Sequence, residues 1–389
     1  MATEPGTQAY LDRFVAGLKA AGAIRSAAVE RAFRVVPRHR LLETFSYYDG
    51  TGPVTIDHDP RCSKPAHLEL IYADNALVTR REGGMPASST SQPSMMAEAL
   101  ELMDLRPGMR VLEIGAGTGY NAALMAELVG DQHLVTTVDI REDVVAQTGQ
   151  LLAAAGYPGI RVRHGDGFEG VPAEAPFDRI VATVGCSDLS PHWAGQLRHD
   201  GTMLIPLAHS GSHPLVLLHR KAGELEGGEL EGGELRGRVA LWTGFIPVRG
   251  PLHIEKLWPF GVVRGEPEEI VREPAPEPGF ATSGQQEETG FAFFAGLADR
   301  RTLGMEHGIG LSAMSDGWAM LAPDGISWWK DAGLARRLEG LYQEWEALGR
   351  PGTGDYRLLF SPVGTGGDPP PGGWVIERRF YRELATLGT

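Results

Sequence analysis

The sequence predicts an α/β protein: a doubly wound parallel-sheet domain followed by an α+β extension. Three observations predict it. From Pro107 onward, short apolar strands alternate with helices of roughly 10–15 residues, the pattern of a parallel sheet wrapped by crossover helices. The first of those strands, VLEIGA (Val111 to Ala116), runs directly into a glycine-rich turn and a helix. Past about residue 220 the alternation stops, but Trp and Phe remain too frequent for a disordered tail.

The elements follow in order. Residues Thr7 to Phe33 read as two helices, because Leu11, Phe14, Val15 and Leu18, and then Val29, Ala32 and Phe33, recur at helical spacing. Ser26 is placed to cap the second, and the Val36-Pro37 pair should end it, since a residue before proline avoids the helical region. Tyr47 to Met85 is loop-rich, with a short strand pair expected in LIYADNALVT. Pro93 to Met103 returns to helical periodicity through Met95, Met96, Ala99, Leu100 and Met103. Then come VLEIGA, the helix YNAALMAELVG, the strand HLVTTVDI, the helix EDVVAQTGQLLAAAG, and the strands IRVRHGDG, FDRIVATVG and GTMLIPL.

The repeat GELEGGELEGGELRG (Gly223 to Gly237) reads as a solvated, mobile loop or hairpin. Val239 to Pro247 looks strand-like, and GEPEEIVREPAPEPG (Gly265 to Gly279) reads as a linker or exposed crossing. Beyond it, FAFFAGL and WAMLAPDG read as strands, Leu334 to Leu348 as a helix, and WVIERRFYREL as a final segment. The expected division is therefore 1-106, N-terminal helices and substrate-side segment; 107-220, the sheet core; and 221-389, the extension.

Composition narrows the class. A chain of 389 residues with 42% apolar content has material for two or three folded units. No run of about 18 apolar residues marks a membrane span, and the opening MATEPGTQAYLDRF has neither a basic nor an apolar signal region. Cys62 and Cys186 are the two cysteines, so a reducing, cytoplasmic setting is expected and a disulfide framework is not. The net charge of −14 repels phosphate backbones and argues against nucleic acid as substrate. That acidity suits a basic peptide, and equally suits solubility alone. His39, His58, His67 and His164 lack metal-ligand spacing, so no metal is expected.

The chemistry sits in VLEIGAGTGY. Gly115, Gly117 and Gly119 let the backbone turn tightly and approach a ligand. Their G-x-G-x-G spacing differs from the dinucleotide fingerprint G-x-G-x-x-G and favours S-adenosylmethionine. Asp139 ends the next strand, 24 residues after Gly115, where a carboxylate can accept from both ribose hydroxyls. Asp166 ends the third strand in HGDGFEG, placed to accept from an adenine amino group; either acid alone is more often a cap or a solvated side chain. Three such features in order on successive strands indicate a Rossmann-like, class I S-adenosylmethionine methyltransferase domain.

Four separated segments then resemble the protein-L-isoaspartate O-methyltransferase family. They are AFRVVPRHRLL (Ala32 to Leu42), SSTSQPSMMAEALELM (Ser88 to Met103), GDGFEGVPAEAPFDRIVATVG (Gly165 to Gly185) and WAGQLRHDGTMLIPL, in which Asp200 replaces a glycine. The resemblance spans roughly Thr7 to Leu207 and implies a carboxylate on a peptide as acceptor. It implies that Ser91 contacts that carboxylate, with Ser88, Ser89 and Thr90 shaping the same lip; by itself, a serine before a helix reads as an N-cap. It implies a cofactor set of Gln92, Glu113, Gly115, Ala116, Gly117, Thr118, Gly119, Asn121, Asp139, Ile140, Gly165, Asp166, Gly167 and Thr183, with S-adenosyl-L-homocysteine as product.

Two departures steer the expected substrate. The chain continues about 180 residues beyond Leu207, and Tyr47 to Arg80 is a long insert. The insert, with IYADNALVTR ahead of SSTSQPS, looks closer to relatives that methylate an aspartate of a ribosomally made lasso, lanthipeptide or graspetide precursor. The resulting ester closes to an aspartimide. This resemblance implies a cyclised precursor peptide as partner, recognised by the extension, with repair of isoaspartyl damage as the alternative. A non-catalytic escort that only binds the cofactor is a third reading, which the intact Gly115 turn, Asp139, Asp166 and Ser91 oppose. Cys186 reads as a site-lining thiol or a small buried hydrophobe, and Trp258 to Phe260 with Trp328 and Trp329 as a peptide groove or core aromatics.

Overall fold

The computed structural model describes residues 7–220, 233–254, 270–273, 285–305, 308–313, 316–322, 325–365 and 368–388. The chain divides into two units, Met1–Val184 with His192–Leu204, and Gly185–Pro191 with Ile205–Thr389.

In the first unit, α1 (Thr7–Ala20) and α2 (Ala27–Val35) bury the apolar stripes read from the sequence. Ser26 Oγ accepts from the Val29 amide at 3.2 Å, and α2 stops at Val35, just before the Val36-Pro37 pair. Phe33 is fully buried against Phe14 and Tyr120, with ring centroids 6.1 and 6.2 Å away. Burying such a ring contributes about 1.5–3 kcal/mol.

A four-stranded sheet follows, built from β1 (Thr44–Tyr48), β2 (Pro53–Asp57), β3 (Leu77–Glu82) and β4 (Met85–Thr90) in the order β2-β1-β3-β4. The strand pair expected in LIYADNALVT is corrected. Its first half ends helix α3 (Pro65–Ile71), which Pro65 opens at the first helical turn, and strand pairing starts at Leu77. Helix α4 (Pro93–Met103) then leads into the parallel sheet.

That sheet consists of β5 (Val111–Ile114), β6 (Val135–Asp139), β7 (Arg161–His164), β8 (Phe177–Ala182) and β9 (Leu197–Pro206), interleaved with α5 (Tyr120–Val129), α6 (Glu142–Ala154) and α7 (Pro191–Gln196). Its order is β7-β6-β5-β8-β9, all parallel, so the chain builds outward from β5 and then crosses back to β8. The carboxyl ends of β5 and β8 therefore flank the switch point, where such sheets bind ligands. All four residues of β5 are buried, as expected for a strand covered on both faces.

The second unit contributes β10 (Leu215–Arg220), β11 (Leu235–Leu241), β12 (Val271–Glu273), α8 (Gln285–Ala298), β13 (Thr302–Met305), β14 (Gly308–Ser312), β15 (Trp318–Ala322), β16 (Gly325–Trp329), α9 (Ala332–Ala347), β17 (Tyr356–Pro362), β18 (Trp374–Glu377) and β19 (Tyr381–Leu387). Strands β18-β19-β17-β11-β10 pair antiparallel, and β12-β16-β15-β14-β13 form a second antiparallel sheet. Helices α8 and α9 share with β14, β15 and β16 a core containing Phe291, Phe294, Leu311, Leu321, Leu338 and Trp345.

FAFFAGL is thus helix, not strand. Every residue from Phe291 to Ala295 is buried, and an apolar run covered on all sides has no periodicity to separate the two. The strand expected at Val239 to Pro247 starts and ends earlier, at Leu235 and Leu241, so it takes in the tail of the Gly/Glu/Leu repeat. Residues 223–232 of that repeat, most of the Pro/Glu-rich stretch, and Trp258 to Phe260 lie outside the described residues.

Candidate active site

The first unit gathers its functional side chains at the carboxyl ends of β5, β6, β7 and β8. After β5 the backbone turns through Gly115, Gly117 and Gly119, at φ +101°, +53° and +82°. Only glycine adopts this succession without strain. Packing adds a second reason at Gly119, where a Cβ would sit 2.8 Å from Leu152 Cγ of α6. The turn is also fastened from two sides. Thr183 Oγ1 donates to the Gly115 carbonyl at 2.8 Å, and Thr148 Oγ1 donates to the Gly117 carbonyl at 2.8 Å.

Asp139 ends β6 as expected, and its carboxylate grips this turn. Oδ2 accepts from the Ala116 amide at 3.1 Å and Oδ1 from the Arg141 amide at 3.0 Å. Ile140 beside it is 39% exposed, an apolar surface left open next to the turn. The Gly165 amide donates to the Asp139 carbonyl at 3.0 Å, which sets the end of β7 against β6. Asp166 caps the short helical turn Gly167–Glu169 by accepting from the Phe168 amide at 2.9 Å. Gly167 is packed so closely that a Cβ would lie 2.4 Å from Ile114 Cγ2.

Glu113 lies within β5 and is 1% exposed. Its Oε1 accepts from Asn121 Nδ2 at 2.8 Å, while Oε2 is buried without a hydrogen-bond partner among the described residues. Burial pushes its carboxyl up to about 7. A turn whose geometry excludes side chains fits a ligand laid across it. Ala116 and Thr118 are buried in it, and Thr118 Oγ1 accepts from the Tyr120 amide at 3.4 Å.

The lip comes from β4, an edge strand of its sheet, and the turn into α4. The Ser89 carbonyl oxygen would stand 3.3 Å from a Cβ on Gly117, so the lip touches the glycine turn directly. The four lip residues are not equivalent. Ser88 Oγ accepts from Thr79 Oγ1 at 3.1 Å, and Thr90 is 3% exposed. Ser89 and Ser91 are half-buried, and their hydroxyls take no hydrogen bond among the described residues. Gln92, exposed at the start of α4, donates through Nε2 to Asp74 Oδ2 at 3.2 Å.

Several residues that shape the site were missed by pattern reading. Arg38 reaches four carbonyl oxygens around the lip, Thr148 holds the glycine turn, and Trp193 Nε1 donates to the Gly167 carbonyl at 2.8 Å. Thr148 had one available signal, since it shares the buried face of α6 with Val144, Leu151 and Leu152. Cys186 belongs to the second unit, where it is fully buried and burial pushes its thiol up. Among the described residues no helix is long and apolar enough to cross a membrane.

A glycine turn after the first parallel strand, an acid ending the second and an acid two residues past the end of the third define a class I S-adenosylmethionine-dependent methyltransferase. The chain belongs to the protein-L-isoaspartate(D-aspartate) O-methyltransferase family, whose model matches residues 11–233, and it is accordingly a carboxyl O-methyltransferase. It is 34% identical over 218 residues to a protein-L-isoaspartate O-methyltransferase of Pyrococcus horikoshii, covering 55% of this chain and 86% of that one. It is 37% identical over 167 residues to the Thermotoga maritima protein of the same name, covering 42% of this chain and 52% of that one. A solved structure described as a protein-L-isoaspartate O-methyltransferase aligns over 90% of this chain and 96% of its own, at 26% identity and a TM-score of 0.53. That alignment extends through most of the C-terminal extension.

Proposed function

We propose that this chain methylates the free carboxylate of an L-isoaspartyl residue carried on a peptide or protein, with Ser91 facing that carboxylate. The observation that carries the reading is the contact of the Ser89 carbonyl with Gly117, which brings the hydroxyl-bearing lip to the cofactor turn. The family match and the long alignment with a protein-L-isoaspartate O-methyltransferase support the substrate class.

In this reading Gly115 to Gly119, Asp139 and Asp166 hold S-adenosylmethionine, which supplies a sulfonium-activated methyl group. Ile140, exposed beside the turn, would give the cofactor an apolar surface, and Gln92, Asn121, Gly165 and Thr183 would line the remainder. The accepting carboxylate, an α-carboxylate with an ordinary pKa of about 3.3–3.7, is ionised at neutral pH and needs no general base. The protein's work is alignment and exclusion of water. Alignment of this kind lowers a barrier by about 7–11 kcal/mol in favourable cases. The hydroxyls of Ser91 and Ser89 orient the acceptor oxygens.

A second reading keeps the same chemistry and changes the peptide. The insert Tyr47 to Arg80 supplies β2, the end of β1 and the start of β3 in the sheet whose β4 presents the lip. That placement favours a dedicated peptide, such as a cyclised ribosomal precursor methylated at an aspartate side chain and closing to an aspartimide. Mass spectrometry with S-adenosylmethionine separates the two. A linear isoaspartyl peptide, its normal aspartyl counterpart and a cyclised precursor are compared. Methylation of the isoaspartyl peptide alone supports repair. Methylation of the precursor alone transfers the assignment to peptide tailoring.

A further inference from the structure

Arg38 is fully buried, yet no carboxylate forms an ion pair with it among the described residues. It sits in the short helical turn Arg38–Leu41 that follows α2. Its guanidinium spends four donors on four main-chain carbonyls. Nη1 reaches Ile71 O at 2.6 Å and Ala73 O at 3.3 Å, while Nη2 reaches Asn75 O at 3.0 Å and Ser91 O at 3.1 Å. Nε is buried without a partner. Burial pulls the group down to about 10, so it still carries its charge at neutral pH.

Burying a charge without a counter-ion costs several kcal/mol, and an apolar side chain of similar volume would avoid that cost. What the charge achieves here is convergence. Charge-assisted hydrogen bonds are roughly twice as strong as neutral ones, and a planar fork fixes direction as well as distance. The carbonyls belong to two separate segments, residues 71–75 and the lip at Ser91, which the β3–β4 hairpin connects. Asp74 closes the same connection from the other side, accepting from the Ser94 amide at 2.8 Å and from Gln92 Nε2 at 3.2 Å. The guanidinium carbon also stands 5.8 Å from the centroid of the Tyr120 ring, and Tyr120 opens α5 directly after Gly119.

We infer that Arg38 is a positioning residue that fixes the lip ending at Ser91 in register with the glycine turn. It touches neither reactant. It acts on the main chain of Ser91, so it governs the alignment of acceptor and methyl without contributing to cofactor affinity. The inference rests on the proposed role of Ser91.

The test compares Arg38→Lys and Arg38→Met with the full-length wild type. Lysine keeps the charge but has three donors and no fork, so it cannot serve all four carbonyls. A misplacement of about 1 Å costs on the order of 100-fold in rate. Arg38→Met is expected to lose about 100-fold in kcat/KM on an isoaspartyl peptide and Arg38→Lys about 10-fold. S-adenosylmethionine Kd, by calorimetry, should stay within about threefold of wild type in both. Hydrogen exchange across residues 88–94 should quicken in both variants. If Arg38→Met does not fold, Arg38→Lys decides. Wild-type kinetics and exchange in Arg38→Lys overturn the inference, as does a cofactor Kd that weakens in step with kcat/KM, the mark of general destabilisation. An inactive wild type on the isoaspartyl peptide overturns the proposed substrate instead, and lip exchange together with cofactor Kd then judges Arg38 alone.

Discussion

The hydroxyl of Thr148 donates to the carbonyl oxygen of Gly117 across 2.8 Å, joining the buried face of α6 to the middle of the glycine turn. Thr148 is fully buried, so no water replaces that donor once it is removed. Thr148→Val preserves the shape and leaves the Gly117 carbonyl unpaired, at a cost of about 1–3 kcal/mol. The expected result is a lower melting temperature and a several-fold weaker S-adenosylmethionine Kd, with Thr148→Ser recovering most of both. Equal affinity in Thr148→Val and wild type would show that the turn holds its form unaided.

Asp139 offers a sharper test of cofactor binding. Its two oxygens already accept from the Ala116 and Arg141 amides, and each keeps further acceptor capacity. Hydrogen bonds to a charged acceptor contribute about 1.5–3 kcal/mol each. Asp139→Ala should therefore weaken S-adenosylmethionine by about 10- to 100-fold, read by calorimetry. A Kd within about twofold of wild type would remove Asp139 from the binding set.

These two residues show what the sequence does and does not disclose. Asp139 was legible because its role follows from chain order: a strand, a glycine turn, a helix, then an acid at the next strand end. The alternation of strands and helices located β5 to β9, and apolar residues at helical spacing located both N-terminal helices. Thr148 and Arg38 were not legible, since both act through main-chain carbonyls and leave no side-chain partner to pattern-match. Arg38 in particular gathers carbonyls at residues 71, 73, 75 and 91, a convergence that exists only after folding. The helix over Phe291 to Leu297 escaped for another reason. A segment buried all round carries no amphipathic signal, so its periodicity cannot be read.

His39 and Glu113 make opposed contributions to the pH dependence of stability. His39, buried beside Tyr72 with Nδ1 2.7 Å from its hydroxyl, is lowered by burial to about 4 from an ordinary 6.5. A depressed histidine leaves the folded state short of a proton that the unfolded chain takes up. Its penalty is absent above pH 6.5 and grows as pH falls from 6.5 towards 4, by up to about 1.4 kcal/mol per pH unit. Glu113 is raised from an ordinary 4.5 to about 7, which reverses the sign: its penalty grows as pH rises from 4.5 to 7. Urea unfolding across pH 4 to 8 should show His39→Gln flattening the acid limb and Glu113→Gln flattening the neutral one. Parallel profiles for wild type and both variants would contradict the assignment.

In the second unit, Glu383 is fully buried and holds two partners. Oε1 lies 3.0 Å from His209 Nε2, and Oε2 accepts from Arg378 Nε at 2.8 Å and Nη2 at 2.6 Å. His209 and the Arg378 charge beside it hold the Glu383 carboxyl below its ordinary range against the pull of burial, while burial lowers His209; the two hydrogen bonds from Arg378 make the carboxylate and the guanidinium the paired charges. Removing one member of such a pair costs about 3–5 kcal/mol, because the other stays buried and unpaired. Glu383→Gln should therefore destabilise strongly, whereas the double replacement Glu383→Leu with Arg378→Met should be milder than the single one. Hydrogen exchange in β17 and β19 reads the difference locally. If the double replacement is as damaging as the sum of two strong single effects, the two side chains act independently. Arg378 also donates through Nη1 to the Ser187 carbonyl at 2.7 Å and through Nη2 to the Ala208 carbonyl at 3.2 Å, so its loss removes the donor from two carbonyls even in the double variant. For that reason the expected recovery is partial: the charge imbalance is relieved, while the Ser187 and Ala208 contacts, about 1 kcal/mol each, are not restored.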